Sequence, residues 1–382
     1  MDAGGAASYH ASVLKKDAAG AGDDGGGSGP LRLRMDSSTG EATIVHHSDR
    51  RGAWASRFRT ILHADTPGGP WRAVTDFPAD QPQDLLALGG RLARRVLRAD
   101  KCNVRPTRAG LLLGIRRSVV YRIDPDGVVP PVPLARIEGD CLMNRAMAEA
   151  EDGSIYFGEY FMNPKRIPVG VWRVDAELTR CECVYRFETP RVRHVHAIHA
   201  DPHHAGRLWI TMGDFAEECY VAYTDDDFSR VDFEGDGSQL WRAVGLLFEP
   251  ERLHWLTDTH IEENRIVSME RATGELRVHG ERSASSWYAA QTREGLFVAT
   301  TTVEPGPGIH TSQVHLLASR DAVEWHEVLS FQKDRWPVRQ GFGFGSLSLP
   351  SGELSAEGFW ISGEGVVGLD GRSAFCRLDA EP

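Results

Sequence analysis

The sequence predicts an all-β protein, a β-propeller of four-stranded blades, seven in number, behind a disordered N-terminal tail. Three observations point there. Beyond about residue 40, short runs rich in Val, Ile, Tyr, Phe and Trp alternate with Gly, Pro, Asp and Asn, the mark of many short strands. The runs recur in groups of four, in modules of about 45–50 residues, a period typical of repeat arrays. A single four-stranded module leaves unpaired edges and uncovered faces, and a radial arrangement of copies cures both defects. Six blades, with N-terminal strands completing the last sheet, is the alternative. A β-sandwich ranks below both, because its strands need not recur in fours.

Along the chain, residues 1–30, "MDAGGAASYHASVLKKDAAGAGDDGGGSGP", have a Gly/Ala/Asp composition that buries too little surface to offset the entropy of ordering. They are expected to be a disordered tail, with residues 31–382 forming one propeller domain. Residues 42–80 carry strands. In "DLLALGGRLARRVLR", residues 84–98, Leu85, Leu88, Leu92 and Val96 fall at helical spacing, weakened by Gly89 and Gly90, which predicts one short helix or an irregular connection. A weaker module runs from "NVRPTRAG" to "PLARIEG". Four clear modules follow, opening at "NRAMAEAEDGSIYFGEYFMN", "HVHAIHAD", "WRAVGLLFEP" and "WYAAQTRE", and a last copy runs from "FGFGSLSL" to "SAFCRLD".

Composition narrows the function. With 382 residues, a formal charge of -11 and a pI near 5.8, the chain is no general phosphate binder, so nucleic acid is not an expected partner. It has no run of about 18 apolar residues to cross a bilayer and no apolar core of a secretory signal, so no membrane partner and a cytoplasmic location are expected. Six scattered cysteines, without CxxC pairs, read as reduced thiols.

In a propeller, the first strand of each blade starts at the rim to which the second strand returns, so functional side chains should gather at those two points. The first-strand starts carry Arg145, then Arg193 with His194 and His196, then Gln239 with Arg242, then Trp287 with Tyr288. The second-strand ends carry Glu159 and Tyr160, then Asp214, Asp258, Glu304 and Glu364. Three arginines at one phase of consecutive blades repel one another unless an anion offsets them, and a ligand carboxylate held by guanidinium forks would do so. Strand alternation puts His194 and His196 on one side and Arg193 on the other. The two histidines, with Gln239 or Asp214, could hold zinc or manganese. With no linear metal motif, a metal is not the favoured expectation, and no cofactor is expected. Tyr160 beside Glu159 could act as nucleophile and base if the strand ends or bulges there.

"ASRDAVEW", residues 318–325, resembles the S-x-D-x-G-x-x-W box of the Asp-box, sialidase-like propellers, with the glycine and the spacing lost, and "HADTPGGPW", residues 63–71, is a weaker echo. "IYFGEYFMN", "VRHVHAIHADP", "LWITMGD", "GSQLWRAVGLLF" and "VATTTVEPG" resemble bacterial BNR-repeat, glycosyl-hydrolase-like propellers. The resemblance implies a carbohydrate-active enzyme that cleaves a glycosidic bond, by hydrolysis or elimination, in an acidic oligosaccharide. Arg145, Arg193 and Arg242 would hold the carboxylate, and His194 or His196 would move the proton. Glu159, Tyr160, Asp214 and Asp258 would add acid, base or nucleophile function, Gln239 would bind substrate, and Trp287 and Tyr288 would stack on the sugar. A non-catalytic glycan- or protein-binding propeller is the alternative. A metal-dependent lactonase-type propeller, with Glu159, Asp214 and Asp258 as ligands, is a further one.

Overall fold

A computed structural model describes residues 9–10, 31–36, 41–79, 84, 86–87, 90–188, 192–338 and 343–380. Among these residues the strands form seven blades, spanning residues 44–76, 103–136, 148–187, 195–237, 247–282, 285–332 and 345–380. We number them 1 to 7. In each, successive strands pair antiparallel, and the first strands of blades 2, 4 and 6 pack against the first two strands of the preceding blade. Blade 7 takes its outermost strand from the other end of the chain: Leu31–Met35 pairs antiparallel with Arg372–Ala380, from Leu31 opposite Ala380 to Met35 opposite Cys376. The ring therefore has seven blades and is also closed by an N-terminal strand. These are the two features that the sequence presented as alternatives. Of residues 1–30 only Tyr9–His10 is described, a short strand parallel to Asp232–Gly237, so the expected disordered tail otherwise lies outside the described residues.

The core lies in the seams between blades. Trp209 and Val221 of blade 4 meet Trp241, Trp255 and Met269 at blade 5, and Val169, Val171 and Phe187 of blade 3 meet Ile198, Ile210 and Met212 of blade 4. A blade is thus apolar on both faces, because each face is buried against a neighbour. Four of the hairpins between third and fourth strands are capped by a carboxylate: Asp124, Asp175, Asp226 and Asp321 each accept from backbone N–H two to five residues on. In the turn of residues 319–325, Ser319 Oγ donates to Asp321 Oδ1 and Trp325 Nε1 donates to the Ala322 carbonyl, with Ala322 at φ 59°.

The helical stretch corrects one expectation. Arg91–Val96 is a helix, but Leu92 and Val96 of the expected apolar stripe are exposed, and Arg95 is the buried side chain. Arg95 reaches Asp334 at 2.5 Å, while Arg91 reaches Asp100 at 2.7 Å and Asp370 at 3.2 Å. The helix is oriented by three carboxylates on neighbouring segments rather than by its leucines. Leu85 and Leu88 lie outside the described residues. No described helix is long and apolar enough to cross a membrane.

Candidate functional site

The polar cluster at the rim is built around Asp214. The second strand of blade 4, Leu208–Met212, ends at Gly213, whose φ is 117° and where a Cβ would sit 2.5 Å from the Cα of Cys219. Glycine lets the chain turn there in close contact with the third strand, and the next side chain, Asp214, is delivered to the rim. The first strand, Val195–Ala200, has a register shift against its partner between Val195 and Ala197, and Arg193 and His194 precede it. Strict alternation therefore does not hold at its start. Arg193, His194 and His196 all reach the same carboxylate, although alternation had placed Arg193 on the opposite side from the histidines.

Asp214 is gripped by two arginines. Arg193 Nη1 donates to Oδ2, and Arg242 Nη2 donates to Oδ1 at 3.0 Å while its Nη1 donates to the Asp214 carbonyl at 2.9 Å. His194 Nε2 lies 3.5 Å from Oδ2, and His196 Nε2 lies 3.4 Å from Oδ1. Burial alone would raise this carboxyl, but the groups around it, the Arg242 guanidinium among them, hold it well below the usual carboxylate range. Burial lowers the pKa of His194 against the pull of Asp214, so a neutral ring is favoured.

A second pair of carboxyl groups flanks this hub. Asp258, two residues past the second strand of blade 5, accepts from Trp287 Nε1 at 2.8 Å and lies 3.3 Å from Arg242 Nη2. Glu304, following the second strand of blade 6, accepts from Ser285 Oγ at 2.9 Å and stands 3.9 Å from His260 Nδ1. His260 Nδ1 in turn lies 3.2 Å from Arg242 Nη1. Burial, and then the charge of Asp258, push the Glu304 carboxyl up to about 8; burial also raises Asp258, against the opposing pull of Arg242. The site thus holds one firmly ionised carboxylate and one carboxyl protonated at neutral pH. Tyr160 closes the cluster, its ring centroid 4.5 Å from that of His194, and burial raises its phenol above the ordinary range. A groove of about 380 Å³, lined by Gln239, Leu240, Ile261, Glu262, Glu263, Arg265 and Pro307, touches this cluster only through Gln239.

The structure thus brings together Tyr160, Arg193, His194, His196, Asp214, Arg242, Asp258 and Trp287 of the expected residues. It does not bring Arg145 to them. Arg145 donates to the Pro350 carbonyl at 2.7 Å, and its pKa is lowered to about 10 by burial and by nearby Arg105. The expected three-arginine clamp is therefore not formed, and its other two members are already engaged by Asp214. Glu159 also departs from expectation. It accepts from Gly170 N at 2.7 Å, Trp172 Nε1 at 2.9 Å and Glu138 N at 3.1 Å, away from Tyr160, so the two are not a nucleophile–base pair. Without Glu159, the ligand set expected for a lactonase-type site is incomplete as well. Gln239 donates to the Asp214 carbonyl at 3.3 Å and to Cys219 Sγ at 3.2 Å, which supports the hub from behind. Tyr288 is buried and has no open face for a sugar, while Trp287 is partly exposed and meets Phe344 edge-on. Glu304 was visible in the sequence at the right phase but was not singled out, and His260, in the loop "TDTHIEEN", carried no periodic signal.

No protein-family model matches the chain, and no curated protein matches it. Solved structures do. A structure described as YCF48 bound to D1 peptide matches with a TM-score of 0.53 at 10% identity, over 92% of this chain and 96% of that one. A chain of a mitotic checkpoint complex matches with a TM-score of 0.55 at 10% identity, over 96% and 98%. A GH74 xyloglucanase from Xanthomonas campestris matches with a TM-score of 0.55 at 14% identity, over 88% of this chain and 54% of that one. At these identities the likeness is one of fold, the β-propeller.

Proposed function

We propose that this propeller is a carbohydrate-active enzyme that hydrolyses a glycosidic bond at the rim, with Glu304 as proton donor and Asp258 as base. The supporting observation is the placement of these two carboxyl groups on adjacent blades, joined through Arg242 and His260. Glycosidic hydrolysis needs one carboxyl that holds its proton until the leaving oxygen takes it and a second group that activates water or attacks the sugar. Glu304 has the environment for the first task, and Trp287, anchored on Asp258, presents a partly exposed indole to a sugar ring. Asp214, engaged by two guanidinium groups, fixes the electrostatics and is a poor nucleophile.

The substrate class moves from an acidic to a neutral saccharide. A uronate or sialate would have to displace Asp214 from Arg193 or Arg242 and would face Asp258 and Glu304 as well. Kinship with the Asp-box, BNR-repeat propellers is part of the same proposal and rests on the Ser319–Asp321–Trp325 turn of blade 6.

The test incubates the protein with neutral, uronate-bearing and sialate-bearing oligosaccharides and follows products by mass spectrometry. Hydrolysis of a neutral member, reduced about 10²- to 10⁴-fold in Glu304→Gln and Asp258→Asn, is the expected result. Unsaturated products would replace hydrolysis by elimination. Binding with no product from any member would leave a glycan-binding module.

A further inference from the structure

The imidazoles of His194 and His196 carry a feature that the hydrolytic proposal does not use. His194 Nδ1 lies 2.8 Å from the Phe161 carbonyl oxygen, and His196 Nδ1 lies 3.0 Å from the Ala243 carbonyl oxygen. A carbonyl only accepts, so in each ring Nδ1 carries the hydrogen and a neutral ring presents a bare lone pair at Nε2. Both lone pairs face the carboxylate of Asp214, which has no proton to offer. His194 Nε2 is buried without a hydrogen-bond partner, and the two rings are only 3% and 2% exposed. Three electron-pair donors converging in a buried place are mutually unfavourable unless something positive stands among them.

The geometry points to a divalent first-row metal ion, zinc or manganese in class, held by His194 Nε2, His196 Nε2 and the Asp214 carboxylate. Three details favour an ion over protonated imidazoles. The ligand atoms lie within 4.8 Å of one another. The histidine–carboxylate separations of 3.5 and 3.4 Å are long for a charge-assisted hydrogen bond. They match the spacing of about 3.3–3.4 Å between two ligands of one tetrahedral ion with bonds of about 2.0–2.1 Å. Finally, a ring whose Nδ1–H is anchored on a backbone carbonyl is the arrangement that fixes a metal-binding histidine. Arg193 and Arg242 hold the carboxylate in place from their own sides. The site adjoins the proposed hydrolytic pair but stands independently of it, since it rests on tautomers and spacing alone.

The test is metal binding rather than turnover. Protein purified without chelator is analysed for metals, then stripped with EDTA and titrated with Zn²⁺ by calorimetry and with Mn²⁺ by electron paramagnetic resonance, with the melting temperature followed throughout. One ion per chain and a metal-dependent rise in Tm are expected. His196→Ala and His194→Gln, with folding checked by circular dichroism, should each weaken binding about 100-fold or more, since loss of an orienting neighbour alone costs 10–100-fold. A His203→Ala/His204→Ala variant, which removes the exposed imidazoles of the neighbouring turn, should bind as the parent does. The assignment is overturned if stripped parent protein takes up neither ion and shows no change in Tm, or if binding follows His203 and His204. Sugar turnover by metal-free protein that binds no ion would sink this assignment alone; metal binding without turnover would sink the hydrolytic one alone.

Discussion

Glu159 stands one residue past the second strand of blade 3, and Asp214 two residues past the second strand of blade 4. Both are buried carboxylates at the same rim, 2% and 8% exposed. Glu159 is met by two backbone N–H groups and an indole N–H, all of them neutral donors tied to the sheet. Asp214 is met by two guanidinium groups and faces two imidazole Nε2 atoms at 3.5 and 3.4 Å. The first carboxylate has its hydrogen-bonding capacity used within the fold and pins the end of a blade. The second gathers more charge and more lone pairs than folding needs. A one-residue difference in phase, which sends the side chain into the sheet or toward the rim, separates a carboxylate bonded within its own blade from one that faces the rim cluster.

The largest effect is expected at the hub. Asp214→Ala leaves Arg193 buried without its counter-charge and Arg242 with Asp258 alone, and should cost about 3–5 kcal/mol, the usual result of removing one partner of a buried ion pair; urea denaturation followed by tryptophan fluorescence measures it. Next comes Glu159→Gln, which keeps shape but turns an amide toward donors and should cost about 1–3 kcal/mol in the same assay. Turnover and metal uptake should not change. If Glu159→Gln abolished either, the two carboxylates would share a function and the contrast would be lost.

A third prediction concerns pH. Glu304 has its folded pKa raised to about 8, so the folded state holds this proton more tightly than the unfolded chain does. Stability linked to Glu304 is complete below the ordinary carboxylate range and declines as pH rises toward 8. Melting of metal-stripped Glu304→Gln beside the parent should therefore show the variant gaining in relative Tm between pH 5 and pH 9. A constant difference across that interval would mean that Glu304 titrates normally. The smallest effect is expected far from the rim: Asp321→Ala removes the acceptor for Val323 N and Glu324 N and should cost about 1 kcal/mol, without altering activity.

The blades were legible because each strand is short, β-branched or aromatic, and bounded by a turn with its own chemistry. Asp124, Asp175, Asp226 and Asp321 mark four third-to-fourth hairpins by the same device. The concentration of polar groups at strand starts and ends was legible for the same reason, since phase within a repeat follows from counting. The helix was legible as an element but not in its orientation, because Asp334 and Asp370, from distant segments, and Asp100, just past its end, draw its arginines inward and leave Leu92 exposed.

What the sequence determined by itself is the architecture: a repeating hydrophobic period with punctuated turns leaves few ways to bury both faces of every sheet, and a closed ring is one of them. What the tertiary structure alone decided is which rim residues meet. Arg145 and Arg193 occupy comparable sequence positions, yet one ends on the Pro350 carbonyl and the other on Asp214. Side-chain direction at a strand terminus depends on bulges and on the neighbouring blade, and charges choose partners by distance in space. Neither is a local property of the chain.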